Sequence, residues 1–479
     1  MCSSLHSAST IEFMDPAGDQ GRITHDRRPD ATLAGMTNSV GHRSIMWFRR
    51  DLRLGDHPAL QHAARHGREV VPAFIVDPAL VGPSGAARLA FMYRSLRALD
   101  ASIGGALIVR HGRPETVIPQ LAHDVGADEV VVTRDYAPYG RRRDAAVIEH
   151  LAGLDISFVG KDTPYAVAPG TVVKDNGTPY AVFTPFSKAW SALADQRPVD
   201  APAVNWYRPR IDHDPVPADP AIDCELPDAN EAAAHALWED FLGDGVDQYG
   251  SRRNNPGELG TSRLSPYLRW GQIHPRQLLA DLGDSNGANT FRKELAWREF
   301  YADVLFHHPH SARENLQTKM NALPVDTDTA ARLRFDRWAA GRTGYPIVDA
   351  GMRQLLATGW MHNRVRMITA SFLVKDLHLP WQWGARHFML HLVDGDLASN
   401  QHGWQWTAGS GTDAAPYYRV FNPVLQSERF DPHGDYIRQW VPELAGVTSM
   451  AIHQAVDPIV DHGDERAEAL SRYQAVTGR

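Results

Sequence analysis

The sequence predicts a molecule in two parts: an α/β N-terminal domain built on a parallel, Rossmann-like sheet, and an all-α C-terminal domain. Three observations carry this. Short apolar runs alternate with helical stretches from residue 44 to about 160, the pattern of buried strands covered by helices on both faces. From Glu231 onward the strand signals vanish and helical periodicity takes over. Seven of the 13 tryptophans lie between Trp297 and Trp406, inside the helical half. Flat indoles there serve either a tryptophan-rich core or the wall of a pocket.

The elements follow in order. Residues 1–43 are polar, mixed in charge and without period, and read as a disordered extension; Met36 is an alternative start. It contains no apolar run of the kind a secretory signal needs. Residues 44–175 form the α/β domain. Its strands are "SIMWF", "VVPAFIV", "ALIVR", "EVVVT" and "ISFVG", separated by helices such as "ARLAFMYRSLRALDASI". No G-x-G-x-x-G follows the first strand, so a dinucleotide fingerprint is missing there. Residues 176–230 read as a linker, because Leu193 to Asp228 are rich in Pro, Asp and Ala. Residues 231–479 form the helical domain, with helices such as "ANTFRKELAWREFYADVLFHH" and "MHNRVRMITASFLVKDL".

Composition narrows the function. The chain has 479 residues, 43% hydrophobic and 22% charged, with no run near the ~20 apolar residues of a membrane span. Its two cysteines cannot make a disulfide framework, which fits a reducing cytoplasm. The net charge of −8 argues against general coating of nucleic acid. Nine Lys/Arg against three acids between Arg332 and Arg386 nevertheless suggest a local basic surface. The 23 histidines show no metal spacing, there is no C-x-x-C or H-E-x-x-H, and no metal is expected.

Three constellations carry chemistry. "ELGTSRLSPYLRWG" sets Thr261, Ser262, Arg263 and Ser265 at a helix start, either a phosphate seat or an ordinary cap. "ELAWREFY" puts Glu294, Trp297, Arg298 and Tyr301 on one helical face, and "MHNRVRM" does the same for Asn363, Arg366 and Met367. A carboxylate, an indole, an amide and a thioether together suit a flat heterocycle with imide edges; they also suit core packing with a Glu–Arg pair. "DGDLASNQHGWQWTAGSGTDAAPYYRVFNP" adds acids, amides and paired tryptophans in one segment.

Taken in order with "WFRRDLRLGDHPAL", "FTPFSKAW" and "TGYPIVDAGMRQLLATGW", these motifs resemble the DNA photolyase/cryptochrome family over roughly residues 44–470. The resemblance implies an N-terminal antenna domain and FAD, active in its reduced anionic form, in the helical domain. It implies flavin contacts from Tyr249, Thr261, Ser262, Arg263, Leu264, Ser265, Trp297, Arg366, Asp394, Asp396 and Asn400. It implies blue-light repair of cyclobutane pyrimidine dimers, with Glu294, Asn363 and Asn400 catalytic. DNA contacts would come from Arg253, Glu294, Trp297, Arg298, Tyr301, Asn363, Arg364, Met367, Trp406 and Gln426. The expected partner is dimer-containing DNA, and the expected state a cytoplasmic monomer.

Within the family, Asn363 and Met367 stand where (6-4)-type members carry histidines, and Asn400 stands where plant-type cryptochromes carry Asp. Both choices resemble class I cyclobutane pyrimidine dimer photolyases. A cryptochrome-type photoreceptor is the competing expectation. Two features depart from the family. Trp404 and Trp381 match the first two members of an electron relay, but Val325 or Asp328 takes the third place. Trp338, beside charged residues and so expected near the surface, offers another exit through Trp406 and Phe388. Ala137 replaces an antenna-binding Glu, which favours a deazaflavin over a folate as second chromophore, or an empty antenna site.

Overall fold

The computed structural model describes residues 42–412 and 418–478. The expected N-terminal extension therefore falls, up to residue 41, outside the described residues, as do residues 413–417 of the "GTDAAPYYR" motif. The five predicted strands form: β1 (Arg43–Phe48), β2 (Glu69–Val76), β3 (Ile108–His111), β4 (Glu129–Thr133) and β5 (Ser157–Lys161). They pair in parallel in the order β3-β2-β1-β4-β5. The crossovers carry α1 (Pro58–Ala63), α2 (Pro78–Val81), α3 (Ala86–Ser102), α4 (Pro114–Val125) and α5 (Pro138–Ala152).

Both faces of this sheet are buried, which explains the unbroken apolar runs. Along β1, Met46 and Phe48 join one core while Ile45 and Trp47 join the other, as alternation of side chains across a strand requires. The first core does not stop at the sheet. It runs on through α6 (Phe183–Leu193) into the helical half.

The segment read as a linker is not merely draped on the surface. Besides α6 it supplies β6 (Asn205–Trp206), which pairs with Glu69 and Val70 of β2, while β3 pairs with Ala73 to Val76. Two strands thus share one edge, an arrangement that a two-residue strand does not announce in sequence.

The helical half contains α7 (Glu231–Asp240), α8 (Tyr249–Arg252), α9 (Ser265–Trp270), α10 (Pro275–Asp281), α11 (Asn286–His307), α12 (Thr329–Ala339), α13 (Pro346–Thr358), α14 (Asn363–Ser371), α15 (Trp381–His391), α16 (Leu397–Ala408), α17 (Pro423–Phe430), α18 (Asp435–Trp440) and α19 (His462–Thr477). Helix α11 is its pin. The buried Glu299 carboxylate accepts from the backbone N–H of Val167 at 2.9 Å and from Trp190 Nε1 at 2.6 Å, and Asp303 accepts from Gly170 N at 2.7 Å. These bonds fix the chain leaving β5 and helix α6 against α11. They leave Glu294, Trp297, Arg298 and Tyr301 as a strip only partly covered by protein.

Candidate flavin and DNA site

The centre of the site is the pair Arg366–Asp394. Arg366 leaves α14 and donates through Nη2 to Asp394 Oδ2 at 2.8 Å, while its Nε holds the Met361 carbonyl at 2.7 Å. The other carboxylate oxygen, Asp394 Oδ1, is buried and has no hydrogen-bond partner among the described residues. A buried orphan acceptor is costly unless a donor fills it, and an imide N–H is a donor of the right kind. This fits a flavin ring edge.

The neighbouring Asp396 does something else. Its Oδ1 caps α16 at Ser399 N (3.1 Å), and its Oδ2 pairs with Arg50 of the α/β domain at 3.2 Å. Its carboxylate thus ties α16 to the α/β domain. Arg88 Nε on the Leu392 carbonyl and Arg269 Nε on the Gly395 carbonyl, at 3.1 and 2.9 Å, hold the rest of this loop. Arg269 is pushed down to about 9 by burial. Asn400 lies one turn into α16, its amide donating to Ala385 O at 3.1 Å.

The candidate phosphate seat gathers around Trp360, which the sequence analysis passed over as a site residue. Trp360 Nε1 donates to Ser265 Oγ at 3.2 Å, and the Arg263 guanidinium lies over its ring at 5.4 Å. Arg263 takes a positive φ of 52°, so the chain turns sharply before α9 and leaves Thr261 and Ser262 half-covered. Leu264 is buried in the core and offers no side chain to a ligand. Tyr249 sits edge-on to Phe241 and Phe291; burial, with the Glu294 carboxylate, raises its hydroxyl pKa.

On α11, Glu294 forms an ion pair with Arg253 and not with Arg298. Trp297 stacks flat on Phe183 at 3.7 Å, and Tyr301 stacks on His402 at 5.8 Å. Arg298, expected among the DNA contacts, is a correction. Its guanidinium donates to the carbonyls of Pro164 and Leu268 and lies over Tyr165, so it belongs to the seam between the two halves.

Helix α14 joins this site to a second one. Arg364 and Met367 line an open cavity of about 840 Å³ with Asn254, Arg419, Gln426, Arg429, His462 and Arg466. The described lining holds four arginines and no acid. Arg364 donates to Asn254 Oδ1 at 2.7 Å and lies over Phe430 at 4.3 Å. Asn363 is exposed at the helix start and Trp406 half-exposed on α16. The basic stretch from Arg332 to Arg386 is otherwise not one surface: Arg334 pairs with Asp326 and Arg353 with Glu443. Three of the cavity's four arginines come from residues 419–466, where no charge run marked them.

The tryptophans also sort themselves. Trp404 is buried against Phe388 (5.0 Å) and Trp338 (6.1 Å), and its Nε1 has no partner among the described residues. Trp381 donates to Asn315 Oδ1 at 2.9 Å. Trp338, expected near the surface, is 0% exposed, its N–H bonded to the Thr369 carbonyl at 3.0 Å.

Comparison with known proteins agrees with this geometry. Residues 44–204 match the model of DNA photolyase, and residues 291–475 match the FAD binding domain of DNA photolyase. The chain belongs to the DNA photolyase/cryptochrome family. It is 39% identical to a deoxyribodipyrimidine photo-lyase of Vibrio cholerae over 91% of this chain and all of the relative. It is 38% identical to one from Agrobacterium fabrum over 90% of this chain and 98% of the relative. Among solved structures, a class III photolyase from Agrobacterium tumefaciens superposes with TM-score 0.84 at 36% identity, covering 92% of this chain and 99% of that one. A cryptochrome of Synechocystis gives 0.83 at 29% identity, covering 90% and 99%.

Proposed function

We propose that the protein is a light-driven DNA photolyase that splits cyclobutane pyrimidine dimers. The observation that carries the reading is the dual reach of α14. Within one turn it sends Arg366 to the Asp394 pair and sends Arg364 and Met367 into a cavity with four arginines and no acid. A flavin seat and a seat for a polyanion are thus separated by the thickness of one helix.

Bound FAD in its reduced form supplies, on excitation, the electron that opens the dimer and takes it back afterwards. The protein's own groups prepare the exchange. Asp394 Oδ1 would accept a hydrogen bond from the imide N–H of the ring, and Arg366 holds that carboxylate in place. Ser265, Arg263 and Trp360 hold the phosphates. The neutral amide of Asn400, held by the Ala385 carbonyl, would sit by the ring without the repulsion that a carboxylate would exert on an anionic cofactor. Outside, Arg364, Arg419, Arg429 and Arg466 neutralise backbone phosphates. The lesion leaves the duplex, as the handled base must for any enzyme working on base chemistry, and meets Met367, Trp297 and Trp406. Glu294, anchored by Arg253, accepts hydrogen bonds from the pyrimidine edges.

The experiment is repair of a dimer-containing oligonucleotide by the chemically reduced protein, in blue light and in darkness. Loss of dimer only in light is expected. Persistence of the dimer in light would instead favour the photoreceptor reading, for which the likeness to the Synechocystis cryptochrome speaks. A second near-ultraviolet or violet band in the same preparation would report the antenna, for which a deazaflavin is our proposal. Sedimentation would test the proposed monomer. Among the described residues no helix is long and apolar enough to cross a membrane.

A further inference from the structure

The turn that follows α14 buries two ionisable residues in succession, and both reach the wall of the basic cavity. Leu377 N donates to the Phe372 carbonyl at 3.0 Å, five residues back, so the turn is a π-helical one, wider than the α-helix before it. Such turns within helices are frequent at functional sites. Here the turn carries Lys375 and Asp376 inside, 3% and 0% exposed. The Lys375 ammonium donates to the carbonyl of Arg419 and lies over the Tyr418 ring at 4.2 Å. Ser371, just before the turn, accepts from Phe421 N at 3.4 Å, so the segment is held at two points. Asp376 Oδ1 lies 2.5 Å from His462 Nδ1 at the start of α19. Arg419, Phe421 and His462 all line the cavity. A buried ammonium is costly unless something stabilises its charge. Burial pushes Lys375 down to about 7; the Asp376 carboxylate opposes that shift and the Arg419 charge adds to it.

We propose that Lys375 is a positioning residue of the cavity, and that its uptake of a proton is linked to the seating of a DNA phosphate on Arg419. This rests on the polyanion reading of the cavity given above. A phosphate on Arg419 cancels the charge that disfavours the ammonium behind it. Lys375 then takes one proton from solvent. The charged form bonds the Arg419 carbonyl more strongly than the neutral amine does, which keeps that arginine on the phosphate. Linkage is reciprocal, so whatever the phosphate adds to proton binding the proton adds to phosphate binding. The other groups around Lys375 are accounted for. Burial raises Asp376 to about 6, which leaves it ionised above neutrality, and burial raises the Tyr418 hydroxyl, which stays neutral there. Tyr473 of α19 stacks on Tyr418 at 4.2 Å, and Glu465 of α19 is bonded to His378 at 2.6 Å. His462 is the other titratable group on the cavity wall, and it serves as the control.

The test measures affinity of the intact flavin-loaded protein for a labelled dimer-containing oligonucleotide, in darkness and at fixed ionic strength, from about pH 6.5 to 9. Arginines stay charged throughout that range, so without a linked group the profile is flat. The wild type should bind more weakly as pH rises. A shift of one pKa unit on binding corresponds to about a tenfold fall in affinity. Calorimetry in buffers of different ionisation enthalpy should show a proton taken up at pH 8. Lys375→Gln keeps a donor for the Arg419 carbonyl but holds no titrating proton, so its profile should be flat and its proton uptake lost. His462→Gln should keep the pH dependence. Arg419→Ala, at an exposed side chain, should also flatten the profile, and it decides the matter if Lys375→Gln does not fold. A flat wild-type profile, a Lys375→Gln or Arg419→Ala profile as steep as wild type, or a slope lost in His462→Gln and kept in Lys375→Gln would each overturn the proposal. A wild type that binds no DNA at any pH, even at low salt, would instead refute the reading of the cavity on which it rests.

Discussion

Replacing Gly384 by alanine sets two known effects against each other where α15 packs on the Trp404 ring. Gly384 lies in the first turns of α15. By helix propensity alone, Gly→Ala stabilises a helix by about 1 kcal/mol. A methyl group at Gly384, however, would fall inside the ring of Trp404, with Cζ3 at 2.6 Å and Cζ2 at 2.7 Å. These neighbours are not the free end of a flexible chain. The indole is hemmed in by Phe388 and Trp338 and cannot swing away without moving both. Overpacking of a close-packed core costs about 1–3 kcal/mol, and three ring atoms within the forbidden distance place this site toward the upper end. The net expectation is a loss of about 1–2 kcal/mol, read as a fall in melting temperature of about 1–2 °C by circular dichroism. Tryptophan fluorescence should shift with it, since Trp404 must be displaced. An alanine variant that melts at or above the wild type, with unchanged fluorescence, would refute the placement of Trp404 against α15.

Glu294→Ala should lower the repair yield per absorbed photon while flavin stays bound, since it removes a charge-assisted hydrogen bond of roughly 1.5–3 kcal/mol and frees Arg253; equal quantum yields in mutant and wild type would exclude it from the mechanism. Affinity for dimer-containing DNA should fall with salt, and Arg364→Ala or Arg466→Ala should each flatten the slope by about one contact, whereas Arg353→Ala, already paired to Glu443, should not. His362 and His402 are buried and pushed down to about 4 by burial, from 6.5. Between these values the unfolded chain binds more protons, so their contribution is complete above pH 6.5 and is lost as pH falls toward 4, roughly 3 kcal/mol for each histidine. A denaturation series across that range should show the loss, and His402→Gln should remove its share; a flat profile would contradict the burial of these rings.

Much of the fold was legible because strands buried on both faces are apolar throughout and helices repeat at their own period. β1 and β4 could be marked from "SIMWF" and "EVVVT". The two-residue β6 could not, since Asn205 and Trp206 carry no periodicity and gain their place only from the open edge of β2. In the site, Arg366, Asp394, Arg364, Met367 and Gln426 were visible as motif positions. The geometry then split them between the carboxylate pair and the basic cavity. Arg298 misled because position on a helix face does not say what faces it; α11 is surrounded, and that arginine looks toward the carbonyls of the seam.

The sequence by itself determined the two-part architecture, the family and the motif residues proposed for the flavin site, because these depend on local periodicity and on short motifs held within single elements. Only the tertiary structure decided which charges gather and which are paired. Arg334 pairs with Asp326 and Arg353 with the distant Glu443, while Arg419, Arg429 and Arg466 arrive from separate segments to line a cavity with Arg364. It also decided that Trp338 is buried while Trp383 reaches solvent. The reason is the same in both cases. Exposure and charge pairing belong to the packing of one element on another, and the chain order records each element but not its neighbour.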